Sequence, residues 1–162
     1  MPALTTAQRI RATVGVAVIF GTWFYLVFTR PTDWESVGGS SPALITLGGY
    51  VLGAILLLSA SLPILPARTI AIIPAALVLN IVIGQIVGSV GIPLYLDSVG
   101  TILVAGLAGP IAGLATGTLS SIVWGLFNPA ALPFAAVSAM VGLLSGVMIA
   151  KGMLRNIPLT IT

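Results

Sequence analysis

Between Arg68 and Lys151 the chain carries one charged side chain, Asp97, in a run otherwise dominated by Ala, Leu, Ile, Val and Gly. A soluble globular domain is about one quarter charged residues, whereas this chain is 6% charged and 58% hydrophobic, with a mean hydropathy of +1.20. That balance describes a protein whose surface faces hydrocarbon. A spanning helix needs about 20 predominantly apolar residues, and six segments approach that length: 12–29, 43–65, 69–90, 96–108, 111–127 and 133–150. The expected fold is an all-α, polytopic transmembrane bundle of six helices. The fourth and fifth segments are short and are separated by Gly109-Pro110, which predicts a tight turn or helix break. Short, Gly/Pro-interrupted segments are common where a membrane protein builds a cavity.

The same composition excludes whole classes of chemistry. With no Cys and no His, disulfide frameworks, thiolate nucleophiles, imidazole bases and the usual zinc or haem ligand sets are absent. Three acids spread over the chain cannot build a carboxylate metal cage. Gly109-Pro110-Ile-Ala-Gly113 lacks the Lys and Ser/Thr of a phosphate-binding loop and follows a membrane segment. No Ser has a candidate base beside it. No catalytic residues, metal or cofactor are therefore expected, and the protein is not read as an enzyme. The six basic residues are scattered at segment ends and form no continuous face for nucleic acid.

Those basic residues serve instead as topology signals. A cytoplasmic N-terminus places Arg9, Arg11, Arg68, Lys151 and Arg155 inside and leaves Arg30 outside beside Asp33 and Glu35. The expectation is a multi-pass protein of the cell membrane with both termini cytoplasmic, and with the 91–97 and 128–133 loops on the outer side. The basic start and apolar run of the first 28 residues resemble a signal peptide. The run is long, however, and no small-x-small cleavage site follows before Arg30-Pro-Thr-Asp-Trp-Glu35, so a retained first helix is expected. Residues 1–67 read as a peripheral two-helix hairpin and 68–162 as a second bundle. The aromatics of the first segment, Phe20, Trp23, Phe24, Tyr25 and Phe28, suit an interfacial belt.

Small residues recur every four positions in three stripes: Ala76, Asn80, Gly84, Gly88; Gly109, Gly113, Gly117, Ser121, Gly125; and Ser138, Gly142, Gly146, Ala150. A four-residue spacing keeps each stripe on one helix face, where it permits close backbone approach. Polar groups cluster near Asp97. It has three readings: N-cap of the fourth helix, contact to a bound solute, or a proton or cation site, the first two being compatible. Asn80 and Gln85, five positions apart, lie about 140° apart on a helix and cannot share one partner. Asn80, on its stripe, is the interhelical hydrogen bonder and Gln85 the ligand candidate. Trp124 and Asn128 suit either an interfacial belt or, with Tyr95, the mouth of a pocket that orients a small planar ligand.

From Ala71 to about Arg155 the chain resembles the substrate-binding S components of energy-coupling-factor (ECF) transporters. The resemblance is carried by Ala75-Ala76-Leu-Val-Leu-Asn80-Ile-Val-Ile-Gly84, Leu94-Tyr-Leu-Asp97-Ser-Val-Gly100-Thr, Leu107-Ala-Gly109-Pro110-Ile-Ala-Gly113-Leu-Ala-Thr-Gly117, Ser121-Ile-Val-Trp124-Gly125-Leu and Leu132-Pro-Phe-Ala-Ala-Val-Ser-Ala139. It covers four of the six helices usual in that family, and residues 1–67 have no counterpart in it. It implies a membrane subunit that captures a vitamin or similar micronutrient from outside. Such a subunit releases its solute by toppling when docked to a transmembrane T component driven by two cytoplasmic ATPases. Ala71 and Ala75 match the family's Ala-xxx-Ala docking positions, with Ala76 adjacent, and the implied pocket opens under the 88–96 loop. That place agrees with the solute-binding candidates read from the polar cluster and topology: Gln85, Tyr95, Asp97, Trp124 and Asn128. A different class remains open, a membrane sensor or scaffold subunit that binds a ligand or partner without transporting it.

Overall fold

The computed structural model describes residues 3–30, 41–91 and 96–153; Asp33, Glu35, Tyr95 and Arg155 lie outside them. Six helices follow in chain order: α1 (Thr6–Thr29), α2 (Ser41–Ser61), α3 (Ala67–Ser89), α4 (Val99–Ala108), α5 (Pro110–Phe127) and α6 (Ala135–Ala150). Short 3-10 turns at Leu62–Ile64 and Pro129–Phe134 extend α2 and lead into α6. No strand occurs among the described residues. Five helices are long and apolar enough to cross a membrane. The exception, α4, has 10 residues and so rises about 15 Å, half of a hydrocarbon core about 30 Å thick.

Local chemistry sets the breaks. At the start of α1, Thr5 Oγ1 accepts the Gln8 N–H and Gln8 Oε1 accepts the Thr5 N–H, at 3.2 and 2.8 Å, a reciprocal cap that satisfies two orphan donors. Between α4 and α5, Gly109 adopts a φ of 91°, open to a residue without a Cβ. Pro110 then begins α5, where its missing N–H costs nothing. The expected helix break is thus a hairpin, across which Ala105 meets Gly113.

The hub is α5. Every residue from Ala112 to Thr118 is buried, and α2, α3, α4 and α6 all pack on it. Its buried hydroxyls on Thr116, Thr118 and Ser120 donate to carbonyls one turn back, so they need no partner from another helix. Two of the small-residue stripes form the α5–α6 seam. A Cβ at Gly117 would strike the backbone of Ser138, one at Gly142 the carbonyl of Gly113, and one at Gly146 the ring of Pro110. Ser121 Oγ donates to Ser138 Oγ across the same seam at 3.0 Å.

The N-terminal pair packs on itself through Gly15 and Gly53, where a Cβ at Gly15 would stand 3.0 Å from the Gly53 carbonyl oxygen. It is not a separate unit, because Tyr50 and Leu57 of α2 share one buried cluster with Leu114 and Ile122 of α5 and Ala139 of α6. The boundary at residue 67 marks a change of sequence character, while the core runs across it. A second cluster, including Ile73, Ala76, Val104 and Ala112, joins α3 and α4 to α5.

Candidate functional site

The site is organised by an amide inside α3. Asn80 is 1% exposed, and both ends of its side chain are used. Its Nδ2 donates to Thr101 Oγ1 of α4 at 2.9 Å and to Ser120 Oγ of α5 at 2.8 Å, and its Oδ1 accepts the Gly100 N–H at 2.7 Å. Gly100 is the second residue of α4, so its N–H is one of the donors a helix start leaves unpaired. Ser98, at the N-cap position, makes no capping bond. The capping role open to Asp97 is therefore filled from the neighbouring helix by Asn80. The backbones of α3 and α4 touch here, since a Cβ at Gly100 would strike the Ala76 carbonyl.

With α4 capped by Asn80, the Asp97 side chain faces a hollow. It is half-buried, and its one hydrogen bond among the described residues comes from Ser98 Oγ at a long 3.5 Å. Because α4 is short, Asp97 starts below the ends of its neighbours, level with Gly84 and Trp124. A Cβ at Gly84 would stand 2.8 Å from Trp124 Cη2 and 3.2 Å from Asp97 Cβ. Gly84 lies five residues before the end of α3 and Trp124 three before the end of α5, which puts the group about 5–8 Å inside the helix ends. A carboxylate at that depth is costly and marks a functional site by default.

The hollow measures about 190 Å³ and is lined by Asp97, Ser121, Trp124, Asn128, Ala131 and Phe134, among others. Among the described residues the buried Trp124 Nε1 hydrogen-bond donor has no partner, and such an orphan costs about 1–3 kcal/mol. Asn128 ends α5 at the rim, exposed, and its Oδ1 accepts the Ala130 N–H at 3.3 Å, which caps the 3-10 turn into α6. An anion, an indole donor, a hydroxyl and an amide around an apolar hollow are suited to holding and orienting a molecule.

Three of the five expected solute-binding residues, Asp97, Trp124 and Asn128, meet here. Gln85 does not: it is exposed on α3, and Gly84 occupies the facing position. Tyr95 lies outside the described residues. Of the expected docking positions, Ala71 and Ala75 are exposed one turn apart on α3, whereas Ala76, 2% exposed, is turned into the contact with Gly100. Sequence reasoning missed Gly84, Ser121, Ala131 and Phe134 as lining or abutting the hollow. Gly84 and Ser121 carried a signal as stripe members next to polar residues; Ala131 and Phe134 carried none. Comparison with known proteins finds no matching family model, no matching curated protein and no matching solved structure.

Proposed function

We propose that the chain is the substrate-binding membrane subunit of an ECF-type transporter, taking up a vitamin or similar micronutrient. The observation that carries this reading is the hollow at one end of the bundle where Asp97, Trp124 and Asn128 converge. A carboxylate with no ion-pair partner and an indole N–H with no acceptor, both among the described residues, gain from a bound solute. The basic residues favour cytoplasmic termini, which turns the hollow to the outer side. The exposed Ala71 and Ala75 then offer a small-residue face to a T component carried by two cytoplasmic ATPases.

Mass spectrometry of the small molecule that co-purifies with the protein identifies the solute. In titrations with it, Asp97→Asn and Trp124→Ala each weaken binding by about tenfold or more while the protein stays folded. Unchanged affinity in both removes them from the site. Ala75→Trp abolishes coupling to the T component and spares solute binding, because the face needs close backbone approach. Normal uptake by that variant refutes the docking face.

A further inference from the structure

The hollow at Asp97 is small for a solute site: about 190 Å³, against roughly 300–1,000 Å³ for ordinary small-molecule pockets. It shares lining residues, however, with two neighbours. Asp97 and Phe134 also line a second hollow, of about 300 Å³, together with Val137 and Val141 of α6. Val137 in turn borders a third, of about 340 Å³, where Phe20, Trp23 and Phe24 of α1 face Ala136 and Met140 of α6. Polarity falls along this path. The first hollow offers a carboxylate and hydrogen-bonding groups, and the third offers aliphatic and aromatic side chains.

Resting on the reading of the Asp97 hollow as a solute site, we propose that the solute is an elongated organic cation. Its ammonium head sits at Asp97 against Trp124 and Phe134, and its apolar arm runs along α6 into the groove between α1 and α6. The charge follows from the carboxylate, which has no ion-pair partner among the described residues and lies in an apolar bundle where it favours a positive partner. Two aromatic side chains beside it add the ring surface that binds alkylammonium groups. The arm follows from the lining, since the first hollow alone is smaller than an ordinary site and Phe134 and Val137 link it to two larger, less polar ones.

The test uses the full chain in a neutral maltoside detergent. Tetramethylammonium, hexyltrimethylammonium and decyltrimethylammonium ions are titrated by calorimetry, with decyl sulfate as the opposite-charge control. The expected result is binding of the cations and not of the sulfate, tightening about fourfold for each methylene buried. Asp97→Asn weakens every cation by more than about tenfold. In Met140→Trp, which fills the third hollow, the decyl ion loses most of its advantage over tetramethylammonium; Phe24→Ala gives a second variant should Met140→Trp fold poorly, and it lowers the same ratio. Cation binding at Asp97 with a chain-length gain that both variants leave intact overturns the apolar arm and keeps the site. Preference for the sulfate, or equal cation binding by Asp97→Asn, overturns the cationic head. Failure of the co-purified solute to respond to Asp97→Asn and Trp124→Ala instead overturns the solute site itself.

Discussion

At the scale of single residues, Asn80 decides more than Asp97 does. Its amide joins three helices and caps α4 through the Gly100 N–H, so the carboxylate beside the helix start is spent on the hollow. Asn80→Ala leaves that N–H without its acceptor and removes the bonds to Thr101 and Ser120, and stability falls by about 1–3 kcal/mol, read as a shift in an unfolding titration. A stability unchanged from the parent protein would show that the knot is not holding the helices. Gln85, the other amide of α3, shows the limit of sequence reasoning at this scale. The roughly 140° between it and Asn80 puts the two on different faces, and Asn80 makes the expected interhelical bonds, but Gln85, the expected ligand contact, is exposed and Gly84 takes the position facing Trp124 and Asp97.

At the scale of elements, the four-residue stripes read as packing faces, and two of them are the α5–α6 seam. The stripe in α3 is used along only part of its length. Gly84 lies against Trp124, whereas Gly88 has nothing within 4 Å of where a Cβ would stand. This contrast gives a paired prediction. Gly142→Val drives a side chain into the Gly113 backbone, which cannot move aside, and costs about 3 kcal/mol or more. Gly88→Val changes stability by no more than about 0.5 kcal/mol. Thermal unfolding of both variants in the same detergent checks the pair, and similar midpoints would show that spacing alone sets the contribution of these glycines.

At the scale of the whole molecule, the N-terminal pair and the later helices share one buried cluster, so the chain folds as a single bundle. The proposed orientation in the membrane rests on the basic residues, and the absence of native cysteine makes it directly testable. In intact cells, a membrane-impermeant maleimide labels Arg30→Cys and reaches Lys151→Cys only after permeabilisation. The reverse pattern would turn the Asp97 hollow toward the cytoplasm and remove uptake from outside.

The sequence by itself determined the number of helices, their bounds to within a few residues except at the start of α1, and the turn at Gly109-Pro110. These depend on segment length and on backbone geometry local to the chain. Only the tertiary structure decided that Gly84 and not Gln85 faces the hollow, that Ala76 is buried while Ala71 and Ala75 are exposed, and that Phe134 joins the site. In a soluble helix an apolar stripe reveals the inward side. Here lipid is as apolar as the core, so hydrophobicity leaves each helix's rotation about its own axis nearly unmarked; small-residue stripes mark it in α5 and α6, and in α3 close packing and the Asn80 hydrogen bonds fix it.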